Sequence, residues 1–289
     1  MSVTNVIILA IVQGLAELLP VSSSAHVVVA EKLLGLDASS PPMTLLLVML
    51  HTGTMFAVIA YFWRQWRDSY FQSVSTFKNI AGLVVIATAL TAIVGEGIIQ
   101  VVERNSFGAA PHAEIEDLFD HLEFIAPALA VVGLLIVIAG IFERQYPART
   151  PSEAKDLNLR QAGLIGAVQG LCLPFRGFSR SGATISAGML LGVAKPRAEA
   201  FSFALAVVLT PPVVAREVIR LIRSANVNGT AGLASVALLS LLGAAVAFLA
   251  GLLALKWLSG WLEGGRWYLF GIYCLIAAAT VTVLYRVGY

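Results

Sequence analysis

Charge is scarce in this chain. Asp, Glu, Lys and Arg make up 12% of its 289 residues, and 58% are hydrophobic. Soluble globular proteins carry about 25% charged residues, so composition points to an integral membrane protein. The net charge is only +2, and no Lys/Arg run is available to follow a phosphate backbone. Nucleic acid is thereby removed as a partner. Cysteine is nearly absent too. Cys172 and Cys274 lie far apart in apolar sequence, which fits buried free thiols rather than a disulfide frame or a metal site. No Lys or Arg precedes the first apolar run, and Gln13 and Glu17 interrupt it early. That stretch therefore reads as part of the mature fold, not as a cleaved signal. His-Glu-x-x-His, Gly-x-Ser-x-Gly and Walker patterns are missing. Zinc-peptidase, serine-hydrolase and P-loop chemistry have no footing without them.

Long apolar runs are what the chain does have. A helix needs about 20 apolar residues to span the hydrocarbon core. Segments 43–62, 80–102, 124–142, 200–222, 231–258 and 267–285 meet that length. Residues 3–35 and 161–194 do not: each is a pair of short apolar stretches broken by Pro, Gly and Ser. Non-helical backbone at membrane depth survives only where protein or a watery cavity covers it. Both regions therefore read as re-entrant pairs. Pro211-Pro212 removes two backbone donors from the 200–222 span and is expected to break that helix.

The broken regions resemble each other. Ala10-Ile11-Val12-Gln13-Gly14-Leu15 matches Gly166-Ala167-Val168-Gln169-Gly170-Leu171, and a Pro, a Ser-rich stretch and Leu-Leu-Gly follow in each case. A pair plus three spans, repeated over about 1–142 and 161–289, accounts for the chain as one membrane domain. An odd number of crossings per half turns the second half upside down. The expected fold class is thus an all-α polytopic membrane protein: six transmembrane helices and two re-entrant pairs in an inverted-topology repeat. Broken elements at matching positions point to a site where the halves meet. Loops 63–79 and 143–160 are basic, and loop 103–123 is acidic. The positive-inside rule puts the basic loops in the cytoplasm and both termini outside, although Arg220 and Arg223 fall on the outer side.

Two polar strings interrupt the broken regions. The first runs from Gln13 through Glu17, Pro20, Ser22, Ser23 and Ser24 to His26. The second is Arg176-Gly177-Phe178-Ser179-Arg180-Ser181-Gly182-Ala183-Thr184. A charge at the bilayer centre costs at least about 2.5–3.5 kcal/mol on insertion scales, so such residues mark function. Glu17 can hold a divalent cation or accept a proton. Gln13 lies one helical turn before it. The serines offer hydroxyls, and His26 exchanges protons near neutral pH. Arg180 suits forked recognition of phosphate oxygens. A short helix after Gly182 would add anion affinity at its N-terminus. Carboxylate, hydroxyl, imidazole and guanidinium together fit phosphoryl transfer, where positioning and charge neutralisation do most of the work. A carrier for an anionic lipid is the alternative, because inverted repeats with broken helices also mark transporters. His51 lies mid-span, where a role at the site competes with helix packing. Glu96 is expected to reach water, as are His112 and His121.

These strings resemble the (E/Q)-x-x-x-E, P-V-S-S-x-x-H and P-G-x-S-R-S-x-x-T motifs of the BacA/UppP family of undecaprenyl-diphosphate phosphatases. Order, separation and apolar context match over essentially the whole chain, and Leu50-His51-Thr52-Gly53-Thr54 looks like a further family segment. The resemblance implies hydrolysis of a polyprenyl diphosphate lipid at a bacterial inner membrane. It also implies a site open to the periplasm, dependence on Mg²⁺ or Ca²⁺, a role in peptidoglycan synthesis and bacitracin resistance, and a homodimer as an expectation. Glu17 falls on the essential carboxylate and would hold the metal. Ser22 and Ser23 fall on the paired serines, and His26 on the histidine. Ser179, Arg180, Ser181 and Thr184 fall on the S-R-S-x-x-T positions. Catalysis is assigned to Glu17, Ser23, His26 and Arg180. Substrate binding is assigned to Gln13, Ser22, Ser179, Ser181, Thr184 and Arg176. Gln13 takes the amide option of its motif. Arg176 replaces the usual Pro, adding a cation that touches the diphosphate, pairs with an outer acid or lines the inner mouth. The nucleophile stays open between Ser23 and an activated water, with His26 as base.

Overall fold

The computed structural model describes residues 2–37, 40–106, 122–145, 157–228 and 233–287. Among the described residues every regular element is a helix. Short α1 (Val3–Leu18) and α2 (Ser23–Leu33) precede long α3 (Pro41–Tyr70), α4 (Val74–Ser106) and α5 (Leu122–Gln145). The same succession follows again, with short α6 (Leu159–Cys172) and α7 (Arg180–Leu190) before long α8 (Lys195–Asn228), α9 (Leu233–Glu263) and α10 (Trp267–Val287). Each long helix contains a stretch apolar and long enough to cross a membrane, at the six places the hydropathy pattern gives. The short helices have 16, 11, 14 and 11 residues, below the roughly 20 needed for a crossing, which is consistent with re-entry. Most of the acidic 103–123 loop, with His112 and His121, lies outside the described residues, as does most of the 143–160 loop.

Local chemistry sets the ends of the short helices. The Ser2 hydroxyl accepts from Asn5 N–H at 3.1 Å and opens α1. Leu19, ahead of Pro20, has extended backbone (φ −74°, ψ 151°) and closes it, because proline disfavours the α region in the preceding residue. Asn158 and Gln161 form a reciprocal capping box at the start of α6. Gln161 Nε2 also donates to the Leu191 carbonyl at 3.1 Å, tying the base of the α6–α7 pair. One expectation fails. α8 runs unbroken through Pro211 and Pro212. Two lost donors leave two carbonyls without their helical partners, but the remaining ladder and packing carry the helix on.

The chain divides into two compact units. The first comprises Met1–Leu19, Ser23–Trp63 and Ala206–Leu258; the second comprises Pro20–Ser22, Arg64–Leu205 and Ser259–Tyr289. Each unit draws on both halves of the sequence. Lipid tails are as apolar as leucine, so helices in a bilayer associate through close packing, and small residues permit it. In the first unit a Cβ on Gly14 would stand 2.6 Å from Ala250 Cβ and 2.7 Å from the Ala247 carbonyl. Around this seam Val6, Leu9, Met43, Leu46 and Leu50 form a closed core. In the second unit a Cβ on Gly170 would stand 2.8 Å from the Thr91 carbonyl. The Thr91 hydroxyl lies 2.8 Å from the Ala87 carbonyl and 2.9 Å from that of Gly166, and accepts from Gln169 Nε2 at 3.1 Å. Lys195 Nζ meets Glu143 Oε1 at 2.6 Å where α8 begins and α5 ends. Large apolar side chains left outside, such as Val85, Ile93, Leu238 and Leu253, suit a lipid-facing surface.

Candidate active site

The first polar string folds around one carboxylate oxygen. Gln13 and Glu17 sit one turn apart on α1, and Ser23 is the first residue of α2. Ser23 Oγ donates to Glu17 Oε2 at 2.5 Å, and Gln13 Nε2 donates to the same oxygen at 3.2 Å. His51, on α3, brings Nε2 to 3.8 Å from that oxygen. Its Nδ1 lies 2.8 Å from the Leu47 carbonyl. A carbonyl only accepts, so Nδ1 carries the hydrogen and Nε2 is the nitrogen turned to the carboxylate. Glu17 is mostly enclosed, with 16% of its side chain exposed. Gly14 makes this depth possible, because its missing Cβ lets α1 lie against α9. His26 is half-buried and stands three residues after Ser23 on α2, on the same helical face.

The turn between α1 and α2 holds a strained residue. Ser22 has φ +69°, the one positive value among described non-glycine residues, and it is buried. A non-glycine residue in this region costs on the order of 1 kcal/mol. The turn Pro20–Ser22 is part of the second unit, where Cys274 Sγ donates to the Pro20 carbonyl at 3.3 Å.

The second string also lies in the second unit. α7 begins at Arg180, two residues earlier than the sequence suggests, because the Ser179 hydroxyl caps it by accepting from Gly182 N–H at 3.2 Å. Arg180 is therefore the first helical residue, half-buried, next to exposed helix donors that favour anions. Gly177 has φ +95°, and a Cβ there would stand 2.6 Å from the Ile125 carbonyl. Glycine is thus demanded by conformation and by space. Thr184 is fully buried; its hydroxyl lies 2.8 Å from the Arg180 carbonyl and 2.5 Å from Ser202 Oγ. Sequence assigns Ser179 and Thr184 to the ligand, whereas here their hydroxyls are engaged by the loop and helix that present Arg180. Ser181 is buried and Arg176 half-buried.

The family model described as "Bacitracin resistance protein BacA" matches residues 6–280. This chain belongs to the BacA family. It is 53% identical over 287 residues to "Undecaprenyl-diphosphatase 2" of Acinetobacter baylyi, with 98% of each chain covered. It is 32% identical to "Undecaprenyl-diphosphatase" of Rhodopirellula baltica, with 97% of each covered. It is 33% identical to the protein of that name from Anaeromyxobacter sp., with 98% of this chain and 88% of the relative covered. Family membership and six apolar helices make it a multi-pass membrane protein.

In this BacA-family chain Gln13, Glu17 and Ser23 are gathered as one hydrogen-bonded group. His51 joins them, a residue whose sequence context left its role open. No local signal pairs it with Glu17, since the two are 34 positions apart and only the packing of α3 on α1 brings them together. The left-handed Ser22 was not legible either. Cys172 and Cys274 are free and buried, as composition suggests. Glu96 is exposed and accepts from Gln100. Among the described residues no three His, Cys, Asp or Glu side chains cluster as a self-sufficient metal cage. One enclosed carboxylate with neutral neighbours instead fits Mg²⁺, which is commonly held by one or two carboxylates together with substrate phosphates.

Proposed function

We propose that this protein hydrolyses undecaprenyl diphosphate to the monophosphate and inorganic phosphate at the bacterial inner membrane. The step recycles the lipid carrier of peptidoglycan synthesis and confers bacitracin resistance. The whole-length kinship to proteins named for that reaction supports the reading. The observation that carries the chemistry is the 2.5 Å hydrogen bond from Ser23 to Glu17. A hydroxyl held by a carboxylate is a hydroxyl ready to lose its proton.

In the proposed mechanism both strings serve one diphosphate. Arg180, presented at the start of α7, neutralises the terminal phosphate. Ser23 Oγ attacks its phosphorus, the bond to the bridging oxygen breaks, and the lipid monophosphate leaves. The Ser23 proton passes to Glu17. His26, on the same face of α2, then takes a proton from the water that releases phosphate from Ser23. Glu17 would hold a divalent cation together with the phosphate oxygens, and such an ion supplies charge neutralisation for the leaving oxygen. His51 acts as a positioning residue: its bond to Leu47 fixes the ring, and the ring fixes the carboxylate. Ser179 and Thr184 hold Arg180 in place, and Gln13 orients Glu17. The basic loops place this site on the periplasmic side, and a homodimer is compatible with the reading.

Purified full-length protein in detergent, given a polyprenyl diphosphate and Mg²⁺, tests hydrolysis against carriage. Phosphate release well above that of Glu17→Ala supports hydrolysis. Release no greater than that of the variant favours a carrier.

A further inference from the structure

The second unit contains a cavity that the phosphatase reading does not use. It holds about 570 Å³ between the end of α3, the start of α4 and the first turns of α8. Arg197 supplies its charge. Hydroxyls of Ser69, Tyr70 and Thr76 and the amides of Gln72 and Asn79 line the polar side. No acid lines it; Asp68, nearby in sequence, pairs with Arg67 at 2.8 Å instead. Ile80, Leu83 and Phe201 form an apolar wall. The cavity lies beyond the C-terminal end of α7, whereas Arg180 begins that helix. Eleven residues separate those ends by roughly 16 Å, so the cavity is not part of the Arg180 loop.

Its frame is preformed. Gln65 Nε2 donates to the Pro196 carbonyl at 3.1 Å, and Trp66 Nε1 to the Ala200 carbonyl at 3.2 Å. These bonds dock the start of α8 on the end of α3. Trp66 stacks on Tyr70 with ring centroids 6.5 Å apart, and Phe71 stacks on Phe77 at 5.3 Å across the α3–α4 turn. A guanidinium in the first turn of a helix stands at the positive end of the macrodipole, where a cation is disfavoured and an anion is welcome. Neutral donors, one cation, no carboxylate and an adjoining apolar wall at the ends of membrane spans match a phosphate anion attached to an acyl chain.

We propose that this cavity is a second, non-catalytic site for a phosphate-type anion, separate from the site of hydrolysis. Two sources share that chemistry: the headgroup of an anionic phospholipid, and free inorganic phosphate. The proposal does not depend on the phosphatase reading.

The test uses delipidated full-length protein carrying Arg180→Ala, so that the candidate active site contributes little anion binding. Native mass spectrometry measures retention of phosphatidylglycerol against phosphatidylcholine, and equilibrium dialysis measures radiolabelled inorganic phosphate. Adding Arg197→Gln is expected to weaken one or both anions at least 10-fold. Adding Arg64→Gln, a nearby cation outside the cavity, is expected to change neither. Loss confined to phosphatidylglycerol identifies a lipid headgroup site, and loss confined to phosphate identifies a free-anion site. Unchanged binding in Arg197→Gln overturns the proposal, and so does equal weakening by both substitutions. If Arg197→Gln does not fold, Thr76→Val with Asn79→Leu replaces it, with the same expected loss and the same overturning result.

Discussion

Glu17 Oε2 has Ser23, Gln13 and His51 around it at 2.5, 3.2 and 3.8 Å, and each neighbour has a distinct job. Ser23→Ala removes the nucleophile without changing helix packing, and phosphate release should fall at least about 100-fold. Near-normal turnover in that variant would rule the serine out and leave water as the attacking group. His51→Leu removes the group that faces the carboxylate. His51→Gln keeps a polar group able to reach it, so activity should largely recover in Gln and stay low in Leu at equal protein stability. Equal loss in both would show that the imidazole itself is needed. Ser22→Gly relieves a left-handed backbone and should raise thermal stability by on the order of 1 kcal/mol, while Ser22→Val should lower it. Glu17, Ser23, His26 and Arg180 could be picked out because polar residues at membrane depth are costly and therefore conspicuous. The Glu17–His51 pairing could not, because it depends on how α1 and α3 pack. The strain at Ser22 could not either, because serine carries no preference for positive φ.

Helices were legible in their middles and not at their ends. The span expected at 43–62 is the centre of Pro41–Tyr70, and that at 80–102 lies inside Val74–Ser106. Apolar content reports the part of a helix that sits in hydrocarbon, whereas the helix itself continues into polar turns. The start of α7 was misplaced because Ser179, rather than Gly182, supplies the cap. Pro211-Pro212 reads as a stop, yet α8 passes through it. The element that presents Arg180 is sensitive to one atom at Gly177, where Ala would have to adopt φ +95° with its Cβ against the Ile125 carbonyl. Gly177→Ala should leave a folded protein, as judged by its elution profile, but lower phosphate release at least about 10-fold, equivalent to roughly 1.4 kcal/mol. Retained activity would mean the loop is not held as described. At the other end of that unit, Lys195→Met strands Glu143, whose side chain is 10% exposed. Unfolding measurements in detergent should show a loss on the order of 3 kcal/mol.

For the molecule as a whole, six crossings and two interrupted pairs follow from run lengths alone, because the bilayer fixes the length a crossing needs. The grouping into two units, each built from both halves of the chain, does not follow from run lengths; it is set by where glycine and alanine let helices touch. The account's central claim is that Glu17 and Arg180, from separate strings, act on the same diphosphate. Phosphate release from undecaprenyl diphosphate by wild type, Glu17→Ala, Arg180→Ala and the double variant tests it most directly. Residues serving one transition state are strongly non-additive. Each single substitution is predicted to lower kcat/KM at least about 100-fold, with the double variant little worse than the weaker single. A single variant within threefold of wild type, or losses that multiply in full, would contradict the claim.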